Sequence, residues 1–117
     1  MEAVIRGAVY EVDLGSARGH EQRGKRPGLV VSTWNRAWSV VTIIPTSTSA
    51  GPSLYRPELE VAGRTTRFLC DQIRTIDTDY VGDLMDVLSR DAMAEVEFAL
   101  SRYLGLVPDN PGALVRP

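Results

Sequence analysis

The chain has 117 residues, 44% of them apolar and 24% charged, with a formal net charge of -2, the proportions expected of one soluble globular domain. No run of ~18 apolar residues occurs, so no membrane-spanning helix is predicted, and residues 1–7 lack the basic start and long apolar stretch of a secretory signal. Cys70 is the single cysteine, so no intrachain disulfide can form, and it reads as a small buried hydrophobe of a cytoplasmic protein.

Charge is unevenly spread. Residues 1–74 hold 10 Lys/Arg against 7 Asp/Glu, whereas residues 75–117 hold 3 against 8. Between Arg18 and Arg36, five cations face only Glu21. Such a patch on a mildly acidic domain suits a polyanion bound at one place; a solvated loop with no partner is the alternative.

Gly7 to Leu14 alternates Ala8, Tyr10, Val12 and Leu14 against Val9, Glu11 and Asp13, the period of two of a strand. Gly15 to Pro27 reads as a polar loop, and Gly28 to Trp34 as a short valine-rich strand. A turn at Asn35-Arg36 leads to a strand over Ser39 to Pro45 and a loop of small hydroxyl residues from Thr46 to Arg56. Pro57 to Ala62 alternates Leu59 and Val61 against Glu58 and Glu60, a half-exposed strand. Gly63-Arg64 is a turn, Thr66 to Ile73 a strand, Thr75 to Asp77 the start of a connection, and Val81 to Leu84 a short strand or turn. Ser89 is an N-cap candidate, with Asp91 in the first turn and Leu88 and Met93 placed for a hydrophobic staple. Met93, Val96, Leu100 and Tyr103 form one apolar helix face, and Gly105 is a natural stop. From Val107 the chain carries three prolines and no periodicity, a loose tail after a domain over residues 1–106. Five or six strands and one helix predict an α+β fold, a small strongly curved antiparallel β-barrel with a C-terminal helix.

The richest stretch is Gly19-His20-Glu21-Gln22-Arg23-Gly24-Lys25-Arg26-Pro27, which runs into Leu29-Val30-Val31-Ser32. A glycine-flanked loop is free to move, while the arginine at its foot is held by the sheet. Guanidinium matches phosphate oxygens in a bidentate way and keeps its charge at cellular pH, so this is the pattern of a phosphodiester site.

Four segments in order resemble the MazF/PemK family of toxin endoribonucleases: Arg6-Gly7-x-Val9-Tyr10-x-Val12-Asp13-Leu14, the Gly19 to Ser32 stretch, Ile44-Pro45-Thr46-Ser47-Thr48, and Asp71-Gln72-Ile73-Arg74-Thr75-Ile76. The resemblance spans about residues 6–106. It implies an SH3-like, CcdB/MazF-like barrel, a homodimer, metal-independent cleavage of single-stranded RNA without a cofactor, and neutralisation by a cognate antitoxin. It makes Arg26 the catalytic arginine. Its usual threonine partner falls on Ser47, with Thr48 following, so the catalytic hydroxyl belongs to one of these two. Glu21 matches the acid of the loop. His20, Gln22, Arg23, Lys25 and Gln72 are the expected RNA-binding residues.

RNA carries its own nucleophile, the 2′-OH, whose attack on the adjacent phosphorus leaves a 2′,3′-cyclic phosphate and a 5′-OH. Arg26 suits stabilisation of the crowded equatorial oxygens, and a hydroxyl of Ser47 or Thr48 adds a hydrogen bond to them. Arginine is a poor general base at neutral pH; Glu21, His20 or a water is the better proton carrier. No His/Cys/Asp cluster has metal-ligand spacing. Trp34 and Trp38 suit packing or a dimer contact, with base stacking as the alternative. Two other functions fit the same barrel: a toxin that traps a topoisomerase, and a non-catalytic RNA-binding module.

Overall fold

The computed structural model describes residues 3–16, 19, 22, 24–34 and 37–106. Seven strands and one helix follow in chain order: β1 (Ala8–Asp13), β2 (Lys25–Val30), β3 (Val40–Ser47), β4 (Glu58–Val61), β5 (Arg64–Phe68), β6 (Arg74–Asp77), β7 (Val81–Val87) and α1 (Arg90–Tyr103). All pairings are antiparallel, in the order β4-β5-β3-β2-β1-β7. The sheet curls because β3 changes partner along its length. Val40 to Ile43 pair with β6, whereas Thr46 and Ser47 pair with β5. A 3-10 turn at Cys70–Gln72 carries the chain from one partner to the other.

Both faces of the central strands are buried, which is why alternation alone does not describe them. Ala8, Tyr10 and Val12 of β1 pack with Val30, Val41, Ile43 and Ile76 on one face. Val9 points the other way and packs with Leu29, Ile44, Phe68 and the helix residues Met93, Val96 and Ala99. The result is a curled half-barrel with α1 closing one side. At the far edge a side chain spans the curl: Asp86 of β7 accepts a hydrogen bond from the Ala62 backbone N–H in the β4–β5 turn, at 2.8 Å.

The helix forms as its end signals dictate. Ser89 Oγ accepts from the Ala92 N–H at 3.1 Å, and Leu88 packs in the same cluster as Met93. Gly105 adopts φ +73°; its N–H donates to the Arg102 carbonyl and the Leu106 N–H to the Ser101 carbonyl, a Schellman stop.

Several expected boundaries move. The described residues form seven strands rather than five or six. β2 begins at Lys25, not Gly28, because Asp13 and Val12 pair with Lys25 and Arg26. The stretch from Thr66 to Ile73 is not one strand: β5 ends at Phe68, and β6 (Arg74–Asp77) takes up Thr75 to Asp77, where the start of a connection was expected. The β4–β5 turn is Ala62-Gly63, both at positive φ, so Arg64 opens β5 instead of completing the turn. β7 reaches Val87 rather than Leu84 because it follows β1 through two register shifts, which period-two counting does not anticipate. The tail from Val107 lies outside the described residues.

Candidate active-site cleft

The strand start at Lys25 fixes Arg26 more firmly than a loop would. The Leu14 N–H donates to the Gly24 carbonyl, and the Gly24 N–H to the Gly15 carbonyl, both at 2.9 Å. Gly15 and Gly24 take φ +65° and +74°, which glycine adopts without the Cβ clash. On the other side the β2–β3 register ends at Gly28 opposite Pro45, next to Pro27; prolines lack the N–H that would extend the ladder. Thr46, 1% exposed, substitutes for it: its hydroxyl donates to the Pro27 carbonyl at 2.7 Å. Arg26 is thereby held between β1 and β3, half-buried.

Arg26, Ser47 and Thr48 line one cleft of about 240 Å³, together with Lys25, Thr46, Thr66, Arg64 and Met85. Among the described residues no carboxylate or imidazole lines it, so its polar character is cationic and hydroxylic. Ser47 and Thr48 play different parts. Ser47 is buried, and its Oγ accepts from the Ser49 N–H at 3.1 Å and the Ala50 N–H at 3.0 Å. That is a turn-forming hydroxyl at the strand end. Thr48 is exposed at the cleft.

Gln22 and Gln72 meet elsewhere. The Gln22 N–H donates to Gln72 Oε1 at 2.8 Å, and both line a second cavity of about 200 Å³ with Pro45, Asp71, Ile73 and Arg74. The same 3-10 turn holds the segment that follows Thr48. Arg56 donates from Nε and Nη2 to the two oxygens of Asp71, at 3.0 and 2.8 Å. This fork-on-fork pair holds the Asp71 carboxyl below its usual range, with the Arg56 hydrogen bond as the main cause, and raises the Arg56 guanidinium in turn. Cys70 is fully buried, and burial pushes its thiol up to about 12, with the Asp71 charge adding to the shift; it has the surroundings of a packing residue, not a nucleophile.

Glu21, His20 and Arg23 lie outside the described residues. Lys25 lines the cleft beside Arg26. Trp34 packs against the apolar cluster of β1, while Trp38 is exposed. Thr46 and Arg64 are among the cleft residues that escaped the sequence reading. Thr46 looked like one more loop hydroxyl; its place after Pro45, across from another proline, was the signal. Arg64 was assigned to the turn, and only the register of β4 against β5 aims it at the cleft.

Comparison with known proteins places the chain's sequence and fold. Residues 5–104 match the family described as PemK-like, MazF-like toxin of type II toxin–antitoxin system. A candidate toxin of Mycobacterium tuberculosis is 65% identical over 105 residues, spanning 88% of this chain and 99% of that protein. MazF from Deinococcus radiodurans superposes with a TM-score of 0.79 at 25% identity, over 90% of this chain and 99% of that one. An endoribonuclease from a mycobacterial species, solved with its cognate antitoxin, gives a TM-score of 0.75 at 27% identity, over 90% and 98%. The MazE–MazF complex of Deinococcus radiodurans gives 0.73 at 25% identity, over 91% and 100%. Fold and sequence agree: the chain belongs to the PemK-like, MazF-like toxins of type II toxin–antitoxin systems.

Proposed function

We propose that the protein is a cytoplasmic, homodimeric endoribonuclease that cuts single-stranded RNA with sequence selectivity, without a metal or other cofactor. One observation carries this: a strand-anchored arginine and an exposed threonine share a polar cleft free of carboxylates among the described residues, in the fold of a MazF endoribonuclease family. Attack of a 2′-OH forms the O2′–P bond and breaks the P–O5′ bond, giving 2′,3′-cyclic phosphate and 5′-OH ends. The nucleophile's proton must leave and the departing O5′ must gain one. Arg26 stabilises charge on the equatorial oxygens. Thr48 is the hydroxyl that reaches substrate, while Ser47 shapes the turn that presents it. Glu21 is assigned from the sequence alone as the proton acceptor, with His20 and Arg23 as further RNA contacts; Lys25, Gln22 and Gln72 complete the binding set.

The cognate antitoxin would cover the cleft with an acidic, partly disordered segment, since this and RNA both offer an extended negative chain. RNA and antitoxin then exclude one another. Exposed Leu84 and Val87 on β7 favour association with a second copy.

The test is end-mapped cleavage of cellular RNA by antitoxin-free protein in excess chelator, with Arg26→Ala alongside. Discrete cuts ending in cyclic phosphate, absent with the folded variant, are expected, and their positions identify messenger, ribosomal or transfer RNA as the target. A fully active Arg26→Ala protein overturns the assignment. Intact RNA with folded wild type points instead to topoisomerase trapping or to a non-catalytic RNA-binding module.

A further inference from the structure

The cleft holds a cation that the catalytic assignment does not use. Arg64 is the first residue of β5, directly after the Ala62-Gly63 turn, and lines the same cleft as Arg26 and Thr48. Of the hairpin's two arginines, Arg67 is engaged: its Nη2 lies 3.1 Å from Glu58 Oε2 and its Nη1 donates to the Arg56 carbonyl. Arg64 makes no ion pair with any described residue, and it is exposed at the rim. The hairpin that carries it is fastened. Asp86 on β7 accepts from the Ala62 N–H through Oδ2 and from the Val87 N–H through Oδ1, each at 2.8 Å. The carboxylate is therefore occupied by backbone donors of the β4–β5 turn and of β7, and holds the turn against the opposite edge of the sheet.

Resting on the endoribonuclease reading, we propose that Arg64 binds the phosphodiester next to the scissile one, and that Asp86 is the positioning residue that keeps Arg64 over the cleft. Arg26 and Arg64 come from different strands that line the same cleft, one from β2 and one from the β4–β5 hairpin. A strand of RNA passing through the cleft presents a phosphate at every nucleotide, so a second guanidinium at the rim meets a second phosphate. This contact is made equally in the ground and transition states. It therefore acts on binding rather than on the chemical step.

The experiment uses the full-length protein, an RNA oligonucleotide with one mapped cut, and the same RNA carrying a 2′-deoxy group at the cut so that it binds without reacting. Arg64→Ala is expected to weaken binding of the deoxy RNA about tenfold, as loss of a charge-assisted contact does, with kcat within about twofold of wild type. The slope of log affinity against log salt should shrink by about 0.7, one phosphate's worth for a single strand. Arg64→Lys should keep the slope. Removing the negative charge of Asp86 would by simple electrostatics tighten RNA binding; Asp86→Ala is expected to weaken it, Asp86→Asn to retain most of it, and Arg64→Ala with Asp86→Ala to be no weaker than Arg64→Ala alone. Unchanged affinity and salt slope in Arg64→Ala, with wild type cutting normally, overturn the proposal while leaving the enzyme intact. A loss in kcat as deep as that of Arg26→Ala, with binding unchanged, also overturns it. Wild type that neither binds nor cuts RNA overturns both readings.

Discussion

Gly28 stands two residues after Arg26, opposite Tyr10 on β1 and Pro45 on β3, and its missing side chain sets how closely β2 approaches β1. A Cβ built there lies 2.8 Å from Val12 Cγ2 and 3.3 Å from Val12 Cγ1, with Ile43 Cδ1 at 3.6 Å. Carbon–carbon contacts are most favourable near ~3.5–4.0 Å, so the first contact is short by at least roughly 0.7 Å. Val12 is fully buried and, being β-branched, has no easy alternative rotamer; the strands must part. Overpacking of this kind costs about 1–3 kcal/mol. Alanine returns about 0.4–1 kcal/mol by restricting the unfolded chain. Gly28→Ala is therefore expected to lose up to roughly 2.6 kcal/mol, a fall in Tm of up to about 10 °C for a domain of this size. Val12→Ala alone opens a void and loses about 2–3 kcal/mol. In the double variant the new methyl occupies part of that void and the clash is gone, so the double should be no less stable than Val12→Ala. Urea unfolding at one fixed protein concentration measures all four corners of the cycle. The cutting rate should fall in Gly28→Ala, because Arg26 shifts with its strand, and recover in the double. Strictly additive losses would refute the reasoning.

Three further outcomes follow from the site. Thr48→Val should reduce kcat on the order of 100-fold, the scale of losing one transition-state donor, without moving the unfolding midpoint; Ser47→Ala should instead lower stability by about 1–3 kcal/mol, because two backbone N–H groups lose their acceptor, and paired urea melts and single-turnover rates separate the two. Asp71 has a native pKa below its unfolded value, so the Arg56 pair contributes fully above the unfolded value near 3.8 and is lost as pH falls through the lower native one; wild type should exceed Asp71→Asn in urea midpoint at pH 6, and the gap should close in that acid window. Cys70, buried and with its thiol raised to about 12, should resist alkylation at pH 8 in the native protein and react at once in denaturant; rapid labelling under native conditions would contradict its burial.

What could be read from the chain depended on how local the determinants are. The helix was legible because Ser89, Met93 and Gly105 each act within one turn of their own position. Val9 and Val12 announced β1, though not that both its faces are buried, since that requires α1 to arrive from the other end of the chain. The transition at Leu69 was hidden because Phe68, Leu69 and Cys70 are all fully buried and give no alternation to break. The seventh strand was shortened for a related reason: its register shifts against β1 scatter Leu84, Met85 and Val87 to exposed positions. At the site, Arg26 was identifiable by its Arg-Pro step. The separation of Ser47 from Thr48 was not, because it depends on which hydroxyl the Ser49 and Ala50 amides take.

The extension of β2 back to Lys25 changes what the site can do. An arginine at the foot of a loop would share the loop's positional spread, and catalysis of an in-line displacement tolerates little of it: a misplacement near 1 Å can cost about 100-fold. Here the charged group stands on a strand paired to β1, with the Pro27 carbonyl pinned by Thr46 from β3. The Thr48 segment is held independently, by Ser47 at its start and by the Arg56–Asp71 fork further on. On the proposed function, Arg26 stands in the sheet and Thr48 on the turn directly after β3, so little reorganisation is needed when charge develops on the phosphate. The proton-carrying task has no such requirement for a shared rigid frame, since a proton can pass through a water. On the proposed function the cation belongs to the strand, and the acid–base work can fall to Glu21 or His20 of the loop sequence or to a water.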